Sequence, residues 1–377
     1  MKVVVVIDSL KGSLSSIEAG EAAKAGILAA NSNATVVVKP LADGGEGTTE
    51  ALVAGMNGEL KNVEVCGPLH EKVCAQIGMI GETAVIEMAQ AAGLPLVAVE
   101  NRNPLVTTTY GVGEMIKNCI EAGCKKFIVG IGGSSTNDAG LGMLMALGFK
   151  FLAANGQEVM QGGQGLSQVV SIDETNVLPE LASCDFKIAC DVNNPLYGTL
   201  GAAYIYAPQK GANPEMVEAL DAGLKHFADV VAKHKGQDFA HLPGAGAAGG
   251  LGFAFTAFLG GTLESGVKII LEETKLEEEL KDADFVMTGE GRIDHQTAMG
   301  KAPIGVAKLA KKYNCKVIGV AGATTNDAKK CNEEGMDAYF SIVNSAMSLE
   351  EAMKPEVAYE NMKQTTQQIF NLIQAIN

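Results

Sequence analysis

No two of the eight cysteines are spaced C-x-x-C, and no histidine beside them completes a zinc pattern. That excludes a zinc ribbon and a thioredoxin-type redox site, and leaves free thiols in a reducing cytosol as the expectation. The five histidines are scattered, without partners at catalytic spacing. Positive charge is also short: the formal net charge is -15, which argues against nucleic acid or an anionic membrane as the main partner. The N-terminus reaches Asp8 after one short apolar run, too short for a secretory signal, so a cytoplasmic protein is expected. No G-x-x-x-x-G-K-[ST] and no G-x-S-x-G occurs. Gly244-x-Gly246-x-x-Gly249 fits the dinucleotide pattern in letters only, because it follows His241-Leu242-Pro243 rather than a strand. The uncharged stretch Leu242 to Leu263 is long enough to span a bilayer, but its seven glycines and Pro243 read as a loop leading into a buried helix, so no membrane partner is expected. Internal repeats, low-complexity tracts and linkers are likewise missing.

What is present is size, apolar content and glycine. The 377 residues make two domains the prior, 47% hydrophobic residues can fill their cores, and many of the 45 glycines follow apolar runs. Lys2 to Ile7 reads as a strand buried on both faces. Ser15-Ser16-Ile17-Glu18 then opens a helix with a capping box, and Thr35 to Lys39 is a second strand before another helix. From about Leu60 the texture becomes short alternating segments, Val63 to Val65, Val73 to Met79 and Ala84 to Met88, which suggest antiparallel strands. Thr274-Lys275-Leu276-Glu277 reads as a second capping box, after which strand and helix alternate again. The expectation is an α/β protein of two α/β domains. One is a Rossmann-like parallel sheet built by both chain ends, 1–65 and 275–377; the other is a mixed α/β insertion, 66–274, with a cleft between them as the natural site.

Five polar loops follow strands, each pairing acids with glycines: Asp8 to Lys11, Asp43 to Thr48, Gly132 to Asp138, Asp191 to Asn194 and Glu290 to Asp294. Any one of them could be a plain cap or turn. Five together are harder to dismiss, since acids at strand ends rarely cluster without a cation or a polar ligand. In Gly130 to Gly142 a strand, a glycine turn and a helix start gather backbone N–H groups, an arrangement suited to an anion without a Walker lysine.

Together these stretches resemble the type I glycerate kinase family. The resemblance rests on DSLKGSLS at 8–15, PLADGGEGT at 40–48, GIGGSSTNDAGLGM at 130–143, CDVNNPL at 190–196, APQKGA at 207–212, GAAGGLG at 246–252 and TGEGRIDHQT at 288–297. It implies ATP-dependent phosphorylation of D-glycerate in the cytosol, usually giving 2-phosphoglycerate, on a two-domain α/β fold. With that chemistry in view, Gly132, Gly133, Ser134, Thr136 and Asn137 are the expected contacts of ATP, and Asp138 and Asp43 those of Mg²⁺. Asp8, Ser9, Asp43, Gly44, Glu46 and Arg292 are the expected substrate contacts, with Lys11 and Arg292 for the glycerate carboxylate. Asp191 is the first candidate for the group that takes the proton of the attacking hydroxyl, and Asp294 the second. Lys301 reads as facing phosphate or water, and His295 as an exposed turn histidine with substrate contact as the alternative. A kinase for another small hydroxy acid, a 3-phosphoglycerate-forming enzyme and a small-anion-sensing regulatory protein are the alternatives. A monomer or homodimer is expected.

Overall fold

The structure is a computed structural model that describes residues 1–376. Thirteen strands run in chain order: β1 (Lys2–Ile7), β2 (Thr35–Val38), β3 (Glu59–Cys66), β4 (Lys72–Ile80), β5 (Thr83–Glu87), β6 (Lys126–Gly130), β7 (Lys150–Leu152), β8 (Ser171–Asp173), β9 (Asp185–Ala189), β10 (Thr262–Glu264), β11 (Phe285–Ile293), β12 (Lys316–Thr324) and β13 (Ala338–Ser341). They form two compact units. The first is Met1–Asp43, Glu50–Asn57 and the chain from Val267 onward; the second is Gly44–Thr49 and Gly58–Gly266.

The first unit is a parallel sheet in the order β13-β12-β11-β1-β2. Valine after valine in β1 is compatible only with burial on both faces. Val3, Val5 and Ile7 pack with the helices Ser16–Ala30 and Pro355–Ile376, while Val4 and Val6 pack on the other side with Leu276, Ile304 and Ala307. The two helices approach so closely that a Cβ on Gly26 would lie 2.2 Å from the Lys363 carbonyl oxygen. Numbered within this unit alone, the order is 2-1-3-4-5 read from the β2 edge, the flavodoxin-like winding. The direction of winding reverses between β1 and β11, and crevices open there at the carboxyl ends of the strands. Ser15 caps the first helix as expected, accepting from the Glu18 N–H while the Glu18 carboxylate accepts from the Ser15 N–H.

The second unit holds the sheet β10-β9-β6-β5-β4-β3, in which β10, β9, β6 and β5 are mutually parallel and β4 and β3 antiparallel, and a β7-β8 ribbon. Phe127 and Phe186 stack across β6 and β9 with centroids 4.7 Å apart. Asn213 and Pro214 start the helix Pro214–Lys235, the Asn213 side chain accepting from the Met216 N–H. The apolar stretch after Leu242 is a loop and then the helix Ala247–Leu259, and no helix among the described residues is long and apolar enough to cross a membrane.

Three details differ from the sequence reading. The division falls at Gly58 and Gly266 rather than at 65 and 274, because β3 pairs with β4 and so joins the mixed sheet. No capping box forms at Thr274: its hydroxyl donates back to the Ile270 carbonyl, and Lys275 enters the next helix with φ 51° and no side-chain cap. Finally, β11 continues to Ile293 against β12, so most of the expected loop Glu290 to Asp294 is strand.

Candidate active site

At the β1/β11 reversal the first unit carries a cavity of about 500 Å³. Four carboxylates line it, Asp8, Asp43, Glu290 and Asp294, with three cations, Lys11, Arg292 and Lys301. Asp8 sits at the end of β1, where the Ser9 N–H donates to Oδ1 at 2.7 Å. Burial, and then the charge of Asp43, push the Asp8 carboxyl up to about 7. Lys11 Nζ lies 4.0 Å from Asp43 Oδ2, and Lys301 Nζ 3.7 Å from Glu290 Oε2. The Thr297 hydroxyl donates to Glu290 Oε1 at 2.7 Å, while burial raises the Glu290 pKa. Asp294 is committed locally: its Oδ1 accepts from the Gln296 and Thr297 N–H groups, and Arg292 Nε lies 3.5 Å from Oδ2. That arrangement is a helix cap, with Oδ2 turned toward Arg292. His295 faces Asp327 at 3.1 Å and is not part of the cavity wall. So Asp8, Ser9, Lys11, Asp43, Arg292 and Asp294, far apart in sequence, share one hollow.

The remaining expected residues lie in the second unit. Asp191, just past β9, accepts at Oδ1 from the Gly266 N–H at 3.2 Å. Gly44 has φ 86°, and a Cβ there would meet the Ala189 Cβ at 2.7 Å and the Gly266 Cα at 2.9 Å, so the segment bearing Gly44 and Glu46 lies against the ends of the parallel strands. In the glycine loop only Gly132 and Gly133 are exposed. Ser134, Ser135, Thr136, Asn137 and Asp138 are buried. Asp138 spends its acceptors inside the loop: Oδ2 takes the Thr109 N–H and hydroxyl and the Gly142 N–H, and Oδ1 takes the Gly140 N–H. The helix that follows, Leu141–Ala146, has only six residues. These contacts give Asp138 a part in holding the loop together, whereas Thr136 Oγ1 and both polar atoms of the Asn137 amide are buried without a hydrogen-bond partner among the described residues. Gly249 explains how the loop is held. Its φ is 69°, a Cβ would lie 2.1 Å from the Thr136 carbonyl oxygen, and its own carbonyl accepts from the Ala139 N–H.

A sequence profile of the glycerate kinase family matches residues 3–374. The chain belongs to the glycerate kinase family. It is 48% identical over 371 residues to a glycerate kinase of Bacillus subtilis (strain 168), covering 98% of this chain and 97% of that protein. It is 47% identical, with the same coverage, to a glycerate 2-kinase of Escherichia coli (strain K12). A crystal structure of a protein assigned as glycerate kinase 2 from Salmonella typhimurium LT2 superposes with a TM-score of 0.92 at 45% identity, covering 100% of this chain and 98% of that one.

A glycerate kinase family member is expected to meet ATP and a divalent cation, and the first unit's donor set suits both. Asp8 and Asp43 are hard oxygen donors whose charges repel one another, a pairing that a divalent cation such as Mg²⁺ would relieve. No group of three or more His, Cys, Asp or Glu side chains gathered as for a metal occurs among the described residues. That is compatible with Mg²⁺ taken by one or two carboxylates, with waters and phosphate oxygens completing it.

Two residues of this family member escaped the sequence reading. Lys210, in the APQKGA stretch, is 1% exposed and donates to Ser134 Oγ at 2.7 Å and the Thr136 carbonyl at 2.5 Å. Burial lowers its pKa to about 7 against the opposing pull of Asp138. Glu87, at the end of β5, is buried and accepts from the Thr49 N–H at 2.8 Å, and burial raises its pKa. A lysine in a Pro-Gln-Lys-Gly turn and an acid closing a strand carry no local sign of burial.

Proposed function

We propose that this chain transfers the terminal phosphoryl group of ATP to D-glycerate in the cytoplasm, giving 2-phosphoglycerate. The observation that carries the reading is the end-to-end likeness to proteins named glycerate kinase and glycerate 2-kinase. The charged cavity at the β1/β11 reversal supports it, because phosphoryl transfer needs charge neutralisation and alignment more than covalent help from the protein. Asp8 and Asp43 would hold Mg²⁺, which when bound neutralises charge on the phosphate oxygens. Lys11 and Arg292 would bind anionic oxygen, Arg292 through its planar fork. Asp191 is the group proposed to take the proton of the acceptor hydroxyl as its oxygen bonds to phosphorus and ADP leaves.

ADP release measured with D-glycerate, L-glycerate and other small hydroxy acids, with and without Mg²⁺, tests the reading. Release with D-glycerate alone, abolished without magnesium, is expected; equal rates without any hydroxy acid would refute it. Enolase coupling identifies the product: 2-phosphoglycerate is consumed directly, whereas 3-phosphoglycerate also requires phosphoglycerate mutase.

A further inference from the structure

The cavity of the first unit has a second wall that the phosphoryl chemistry does not use. Besides the charged groups, Leu10, Ile342, Val343, Leu349 and Met353 line it with apolar side chains. Past β13 the chain reaches the short helix Leu349–Ala352, which puts Leu349 and Met353 at the rim. Leu349 is 75% exposed and Met353 37% exposed, a cost left unrelieved by the fold itself. The floor is bare where it need not be. Gly291 lies on β11 with an ordinary φ, and a Cβ there would meet nothing closer than Leu10 Cα and Lys11 N at 3.8 Å. Without a side chain, Gly291 leaves its backbone open to close approach by a ligand.

We infer that this wall, Leu10, Ile342, Val343, Leu349 and Met353, seats the base and ribose of a nucleoside polyphosphate, whose phosphates point to Lys11, Arg292 and Lys301. The inference rests on the kinase reading for the identity of the ligand and adds its place. A three-carbon acid fills a small part of about 500 Å³ and has no apolar surface for five aliphatic side chains. A nucleotide has both halves: a flat, weakly polar ring system and a chain of anionic oxygens. The cavity lining has both kinds of group. Its place at a topological switch point, outside the carboxyl ends of β1 and β11, agrees with where open parallel sheets take ligands.

Calorimetric titration of the full chain with ADP and, separately, with tripolyphosphate tests this, since tripolyphosphate carries the charged half alone. The wild type should bind ADP more tightly than tripolyphosphate. Leu349→Ser, at a position exposed enough to leave the fold unaffected, should weaken ADP binding at least threefold, and Val343→Ser with Leu349→Ser at least tenfold. Neither should change tripolyphosphate binding, which also reports that the variants are folded. No ADP binding by the wild type, equal binding of the two probes, or unchanged ADP affinity in Leu349→Ser would overturn the assignment. The two readings fail separately. A wild type that releases ADP with D-glycerate while both variants bind ADP normally loses the wall and keeps the kinase. A wild type that binds ADP through the wall but does not act on D-glycerate keeps the wall and loses the kinase.

Discussion

Replacing Lys210 by methionine should change how stability depends on pH. The ammonium is enclosed with two polar partners, Ser134 Oγ and the Thr136 carbonyl, and its pKa falls from 10.5 to about 7 because burial penalises the charged form. The unfolded chain therefore binds more protons than the native chain between pH 7 and 10.5, so native stability rises with pH across that window. The burden is full below pH 7 and is relieved as pH approaches 10.5. Integrating for one such group gives a gain of about 2 kcal/mol between pH 7 and pH 9. Lys210→Met keeps the aliphatic stem and removes the titration. In urea unfolding followed by far-UV circular dichroism, the chain having no tryptophan, the wild type should gain about 2 kcal/mol on the variant from pH 7 to pH 9. Parallel pH dependences for the two proteins would refute the claim that Lys210 is buried with a depressed pKa. Lys210→Arg should be the worse substitution, because a guanidinium cannot shed its proton to escape the same enclosure.

Other expectations follow from the same geometry. Because Asp8 titrates near 7, protons should compete with Mg²⁺ below that pH: apparent Mg²⁺ affinity should fall about tenfold per pH unit below 7 and level off above it, while Asp8→Asn, weak throughout, should show no such slope in metal titrations. Asp191→Asn should lower kcat about 100-fold or more with substrate affinities kept, measured by ADP release; near-normal turnover would remove Asp191 from the proton transfer. Asp138→Asn sets an amide NH₂ among four donors, and should cost about 3 kcal/mol in urea unfolding at neutral pH. Gly26→Ala places a methyl 2.2 Å from the Lys363 carbonyl oxygen and should cost about 1–3 kcal/mol, read as a lowered Tm.

Much of the first unit could be read from the chain because its signals are local. An unbroken valine run declares a doubly covered strand, and Ser15 with Glu18 declares a helix start. The acids at 8, 43, 290 and 294 could be suspected of meeting because parallel sheets gather their strand ends on one side. What stayed hidden depends on distant partners. Lys210 meets Ser134 across 76 positions, and nothing in Pro-Gln-Lys-Gly announces it. Asp138 offered oxygen chemistry that suits a metal equally well, and only the donors from Thr109, Gly140 and Gly142 show that the chain itself uses it. Gly291 read as loop within Glu290 to Asp294, yet pairing with β12 carries the strand to Ile293. The apolar wall went unnoticed because its residues come from three separate segments, and Leu10 sits among the polar residues of the Asp8 to Lys11 loop.

The pairing of β1 with β11 carries a consequence for biogenesis. A ribosome releases the hexapeptide KVVVVI about 280 residues before its central neighbour is made, a wait of roughly 15–55 s at ~5–20 residues per second. By then the inserted unit, complete at Gly266, has had time to fold, while a sticky β-branched segment waits with β2 on one edge and the other edge open. Nascent-chain holdases should find their first and longest-lived client surface there, and messages truncated upstream of Phe285 should yield aggregates rather than half an enzyme.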